Sequence, residues 1–231
     1  MRKARPRRSG RTDKRLVVWR RWSWGRQPAA FASGALFATL GAMKVRDSGM
    51  PEQSYWESLF DVDRVLDQMK VNHEIGDAVE VGCGYGTFTV PGAKRISGTF
   101  YSFDIEPEMV RLTRSRATAS GIENLRLATR DIITDGFGLP TKSMDAVLLF
   151  NILHAENPVQ MLGAAAELTG VGGRVLVIHW RSDIPTPRGP ALAIRPRPEQ
   201  IADWAASVGL EPEAPQLLPP WHFGLVLHQK I

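Results

Sequence analysis

Asp77-Ala78-Val79-Glu80-Val81-Gly82-Cys83-Gly84-Tyr85-Gly86-Thr87 decides how this chain is read. Val79 and Val81 supply β-branched bulk suited to a short buried strand. Gly82, Gly84 and Gly86 then strip the following turn of side chains. Glycine at such a turn permits positive φ and lets the backbone come close to a ligand. A helix opening just after it directs unpaired N–H groups and a positive dipole end at the same place. The G-x-G-x-G spacing is shorter than the G-x-G-x-x-G of dinucleotide binders. Downstream, Tyr101-Ser102-Phe103-Asp104 reads as the end of a second strand. An acid there can accept hydrogen bonds from ribose hydroxyls.

Working outward, the composition is that of a soluble globular protein: 231 residues, 43% hydrophobic and 23% charged. That length holds one domain with a sizeable core. The single cysteine, Cys83, excludes an internal disulfide framework and any multi-cysteine metal site, and no His/Cys/Asp cluster has metal-ligand spacing. A lone cysteine fits a reducing cytoplasm, which is the expected location. The net charge of +5 is unevenly spread: residues 1–26 hold eleven Lys/Arg against Asp13 alone, which leaves the remainder mildly acidic. A basic pI therefore describes the tail and does not by itself argue for nucleic acid.

Residues 1–49 are expected to form a basic extension separate from the domain at 50–231. They mix arginines with Trp19, Trp22 and Trp24 and then give a small-residue apolar run, Ala29 to Met43. A basic region before such a run also looks like a secretory signal. Translation starting at Met43 or Met50 is a third reading; an extension or a later start is favoured over export. The run is too short for a confident membrane span, which needs about 20 residues.

From Met50 the pattern turns helical: Pro51 and Glu52 suit a first turn, and Tyr55, Trp56, Leu59 and Phe60 give an apolar face. Asp61 or Asp63 can cap a second short helix running to about Met69. Past the glycine turn the expected elements are a helix over 87–96, a strand over 98–104, a helix over 106–119 and a strand over 125–129. Asp145–Phe150 is a continuous apolar run suited to a strand buried on both faces. A helix over 159–168, a turn at Gly172-Gly173, a strand over 174–178, a helix over 199–208 and a terminal hairpin around Leu217-Leu218-Pro219-Pro220 complete the reading.

Val79-Glu80-Val81-Gly82-Cys83-Gly84-Tyr85-Gly86 resembles motif I of the class I S-adenosylmethionine (SAM)-dependent methyltransferases, and Phe103-Asp104-Ile105 resembles their second motif. The resemblance runs from about Met50 to the C-terminus. It implies an α/β fold: a single doubly wound, Rossmann-like, seven-stranded sheet of order 3-2-1-4-5-7-6, strand 7 antiparallel, with helices on both faces. It also implies SAM as cofactor, with contacts from Glu80, Gly82, Cys83, Gly84, Gly86, Asp104, Ile105, Asp131, Ile132 and Asn151. Asp131 takes the family's role of accepting the adenine amino group; its plainer role is a helix N-cap. By the same resemblance the segment holding Tyr55 and Trp56 lies across the cofactor.

Methyl transfer is a direct displacement that needs alignment and a water-poor pocket, with a base only where the nucleophile requires one. His154 and His179 follow the two strands that close the expected pocket and are the candidate bases, against an ordinary structural role for each. Tyr55, Trp56, Trp180 and Arg188 are the candidate substrate contacts, with Arg181, Arg195 and Arg197 as further anion binders. Asn151-Ile152-Leu153-His154 is not the Asn/Asp-Pro-Pro-Tyr of amino-methylating nucleic-acid or glutamine enzymes. Cys83, inside the cofactor loop, is no candidate for a cytosine-C5 nucleophile. The section from Asn151 to Pro158 looks most like small-molecule enzymes related to quinone biosynthesis. The expected activity is methyl transfer from SAM to a small molecule. The alternatives are a nucleic-acid methyltransferase tethered by the basic tail and a SAM-binding protein without turnover.

Overall fold

Val147, Leu148, Leu149 and Phe150 are all buried, and the strand they form, β4 (Met144–Phe150), runs through the middle of the protein. A strand with no polar face has to be covered on both sides. The computed structural model describes residues 49–230. The expectations for the basic extension at 1–49 fall almost wholly outside those residues.

Parallel to β4 lie β1 (Ala78–Val81), β2 (Phe100–Asp104), β3 (Leu125–Thr129) and β5 (Thr169–Trp180). Three further strands follow: β6 (Leu210–Pro212), β7 (Gln216–Leu218) and β8 (His222–Gln229). The sheet order is β3-β2-β1-β4-β5-β8-β6, with β7 also pairing β8. β8 is antiparallel to β5, β6 and β7. The expected order holds with one addition. The Leu217-Leu218 run forms a short extra strand, so the sheet has eight strands, and the antiparallel strand expected seventh is β8.

Two apolar layers flank the sheet. On one face α6 (Pro158–Leu168) and α7 (Pro198–Ser207) send Met161, Leu162, Ala165, Ile201 and Ala205 against Val147, Leu149, Val175, Val177 and Phe223. On the other face α2 (Val62–Gln68) and α3 (Thr89–Arg95) send Val65, Leu66 and Ala93 against Ala146, Leu148, Leu176, Ile178 and Val226. The remaining helices are α1 (Gln53–Glu57), α4 (Pro107–Ala119) and the single turn α5 (Ile132–Asp135).

Local rules set most boundaries. Asp61 caps α2 by accepting from the Arg64 N–H, and Pro107, Pro158 and Pro198 open α4, α6 and α7 where a missing N–H costs nothing. Glu52 stays outside α1 and caps it, accepting from Ser54 and Tyr55 N–H. The first crossover helix begins at Thr89, two residues later than expected, because Gly86-Thr87-Phe88 still belong to the turn. Gly172-Gly173 does not end an element. Both lie within β5, where the pairing with β4 shifts register between Met144 and Ala146. Among the described residues no helix is long and apolar enough to cross a membrane.

Candidate active site

The C-terminal ends of β1, β2 and β4 meet at the glycine loop. Gly82, Gly84 and Gly86 have φ of 86°, 50° and 74°, values that L side chains rarely adopt. The loop is tied to β2 by the Gly82 N–H, which donates to Phe103 O at 2.7 Å. Asp104, at the end of β2, accepts from Gly84 N–H at 2.9 Å through Oδ2 and from Glu106 N–H at 3.0 Å through Oδ1. Burial raises the Asp104 carboxyl above its ordinary value, while these two N–H bonds pull it back down. A carboxylate accepts about four hydrogen bonds, so acceptor capacity remains on the side of the loop.

Glu80 works from beneath. It is buried in β1 and accepts from the Thr89 and Ser102 hydroxyls, joining the start of α3 to β2. Burial raises its pKa to about 7, with the two hydroxyls opposing the shift. Its carboxylate holds the loop in place and is not spread on the loop's outer surface. Cys83 is buried too, and burial together with the Asp104 charge pushes its thiol far above the ordinary range. Thr113 of α4 closes the loop's far side by donating to Gly84 O at 2.8 Å. A Cβ on Gly86 would meet the Thr113 side chain at 3.0 Å, so that glycine is needed for packing against α4.

Ile105 is 40% exposed beside Asp104, whereas Ile132 is buried in the core under α5. Asp131 caps α5, accepting from the Ile133 N–H at 3.0 Å. Asn151, directly after β4, has φ of 58°. Its N–H donates to Ile178 O at 2.7 Å, and its side-chain Oδ1 is buried without a partner. A Cβ on Gly82 would stand 3.5 Å from Ile152 Cγ2, so the loop after β4 abuts the glycine loop.

A strap formed by residues 49–57 crosses this edge. Pro51 O accepts from the Tyr85 hydroxyl at 2.8 Å, and Glu57 pairs with Arg116. Met50 packs on Cys83, Met109 and Val110, with its Cε 3.3 Å from where a Gly84 Cβ would be. On the other side Tyr55 donates to Pro187 O at 3.3 Å and Arg188 to Gly49 O. Trp56 packs edge-on against Phe60 and Trp180. Tyr55 and Arg188 are exposed, Trp56 is half-buried and Trp180 is fully buried.

The two candidate histidines come together. Their rings lie 5.5 Å apart in an edge-to-face arrangement, with His179 fully buried and His154 half-buried. Burial lowers both pKa values, His179 to about 3, and the nearby Arg195 adds to the effect. His154 Nδ1 and His179 Nε2 are buried without hydrogen-bond partners.

Arg195, expected only as one of several anion binders, is the organiser of the loop after β5. It is buried and donates to the carbonyls of Pro190, Arg181 and Arg188 at 2.7, 2.9 and 3.2 Å. It also lies over the Trp180 ring at 5.9 Å. Its neighbours in sequence are prolines and other arginines, so nothing local sets its role apart from theirs. His222, which sequence reasoning missed, lies on the opposite face of the sheet from His179, stacked on Phe60 at 4.5 Å. Among the described residues no group of His, Cys, Asp or Glu is placed to hold a metal ion.

This geometry can be set beside known proteins. A family model described as a methyltransferase domain matches residues 78–173, from β1 into β5. No curated protein sequence matches the chain. A SAM-dependent methyltransferase from Aquifex aeolicus superposes with a TM-score of 0.67 at 18% identity, over 76% of this chain and 93% of that one. Magnesium protoporphyrin IX methyltransferase from Synechocystis PCC 6803, solved with bound SAH, gives 0.59 at 16% identity over 80% and 91%. The N-methyltransferase NodS from Bradyrhizobium japonicum WM9 gives 0.58 at 13% identity over 73% and 96%. At such identities the superpositions speak for a shared fold.

Proposed function

We propose that this chain, which belongs to the class I SAM-dependent methyltransferases, moves a methyl group from SAM to a small-molecule acceptor. One observation carries the reading: the Asp104 carboxylate is locked to the glycine loop through Gly84 and still has room to accept. That acceptor suits the hydroxyls of a ribose diol, which donate to it. When bound, SAM supplies an electrophilic methyl group on a sulfonium. The protein's own work is to hold, align and dehydrate.

Asp104 holds the ribose, and the glycine turn admits the rest of the cofactor close to its backbone. Asp131, the cap of α5 just past β3, is the proposed acceptor for the adenine amino group, with Ile132 beside it in the core. The strap covers the site through Met50 and Trp56 and keeps water out. His154 is the proposed base. Its lowered pKa leaves the ring neutral near pH 7, and a neutral ring can take a proton. The small-molecule acceptor, with its affinity to the quinone-related branch, rests on the Asn151–Pro158 section. The basic tail supports a second reading, in which nucleic acid is the acceptor.

The test is transfer of label from methyl-labelled SAM into a metabolite extract. Label is expected in a small molecule. His154→Ala should lower turnover by ~10²-fold while leaving SAM affinity nearly unchanged. Label in RNA or DNA would favour the tethered reading, and bound SAM with no label anywhere would favour a protein without turnover.

A further inference from the structure

Arg195 is a buried cation that pairs with no carboxylate among the described residues. Burying a guanidinium without a counter-ion is unfavourable, and only what its donors hold can offset that. Nε donates to Pro190 O, Nη1 to Arg181 O and Nη2 to Arg188 O, so each of its three nitrogens is already engaged by the protein. Residues 182–190 form neither helix nor strand. The planar fork of Arg195 therefore sets their path, gripping the main chain on both sides of Gly189.

Gly189 is where that grip bears. Its φ is 103°, and a Cβ there would stand 2.7 Å from Trp180 Cδ2 and 2.8 Å from Cγ. The bare backbone thus rests on the Trp180 ring, which the Arg195 guanidinium also covers at 5.9 Å. The strap of residues 49–57 comes down on the same platform. Trp56 meets Trp180 edge-on with ring centroids 6.3 Å apart, Tyr55 donates to Pro187 O, and Arg188 donates to Gly49 O. At its other side the strap bears on the glycine loop, through Met50 against Gly84 and Pro51 O with the Tyr85 hydroxyl.

We infer that Arg195 is the positioning residue for docking of this strap. By fixing the carbonyls of Arg188 and Pro190 around Gly189, it builds the surface that Trp56 and Tyr55 settle on, and so links the loop after β5 to the glycine-loop edge. The role is one of placement and needs no contact with reacting atoms. Its consequence for SAM rests on the methyltransferase reading; docking of the strap does not.

The test is amide exchange on the full chain without cofactor, comparing wild type, Arg195→Lys, Gly189→Ala and the double variant. Lysine keeps the charge and loses the fork. Arg195→Lys should lower protection over residues 53–57 by about threefold to tenfold and leave β4, β5 and α7 as they are. Gly189→Ala keeps Arg195 in place, changes an exposed loop residue, and should lower strap protection alike; it decides the matter should the lysine variant not fold. Because both act through one platform, the double variant should lose no more than the larger single loss. Unchanged strap protection in either folded variant, additive losses, or a loosening of β5 and α7 together with the loop would overturn the inference, the last by making Arg195 a general support of the fold. SAM titration alongside should show affinity about threefold to tenfold weaker in both variants; equal affinity with a loosened strap would overturn the link to the glycine-loop edge. A wild type that binds no SAM counts against the methyltransferase reading and leaves the exchange comparison standing.

Discussion

Asp104 and the buried histidines carry opposite lessons about single residues. Asp104 lies where strand ends and turn spacing place it, so its position is legible in sequence. The orientation of Glu80 is not legible: the motif counts it among cofactor contacts, and the fold turns its carboxylate onto Thr89 and Ser102. Those two hydroxyls come from separate elements that only the folded sheet brings together. The same holds for His222, whose depth comes from Phe60 and Trp180, far away in sequence. That depth has a measurable effect. His179 and His222 both titrate near 3, well below the ordinary value of 6.5. As pH falls through 6.5 the unfolded chain gains protons that the folded chain refuses, so stability falls from there toward pH 3. Each ring contributes roughly 1.4 kcal/mol per pH unit. Between pH 6.5 and 5 urea unfolding should show a loss of about 2 kcal/mol per ring, and His222→Phe should remove one ring's share. Glu80, raised to about 7, acts in the opposite sense between 4.5 and 7, so the comparison is made between wild type and variant at each pH. A difference that does not change with pH would mean His222 is protonated normally in the fold.

At the scale of elements, the strap of residues 49–57 joins the two halves of the site. It is fastened to the cofactor side by Tyr85 and Arg116 and to the loop after β5 by Pro187 and Arg188. The apolar side of α1 and of the turn after it is readable from the spacing of Trp56, Leu59 and Phe60. The strap's fastenings are not, because each partner lies between 34 and 139 positions away. The fastenings are partly exposed, so each is worth at most about 1 kcal/mol. A strap held this weakly can open for ligand entry. Glu57→Gln combined with Tyr85→Phe should lower amide-exchange protection over residues 53–57 by about threefold to tenfold, with the sheet unaffected. SAM should restore part of that protection. Unchanged exchange in the double variant would mean that Trp56 packing alone holds the strap.

Across the whole molecule, the succession of β1 to β4 was the most legible feature, since apolar runs and glycine or proline punctuation separate them; their order in the sheet came with the family resemblance, and the start of β5 was hidden by Gly172-Gly173, which lie inside it. The C-terminal strands were less so: Gln216–Leu218 is too short to be told from a loop until β8 pairs with it. The positive charge concentrated before residue 27, and the expectations that rest on it, lie outside the described residues. What unites the fold and the site is the claim that the sheet edge at Gly82–Gly86 and Asp104 binds SAM. Calorimetric titration of SAM into the wild-type chain and into Asp104→Ala tests it most directly. Saturable one-site binding is predicted for the wild type, weakened by about 1.5–3 kcal/mol in the variant, as for a charge-assisted hydrogen bond. No binding by the wild type, or equal affinity in a folded variant, would contradict it.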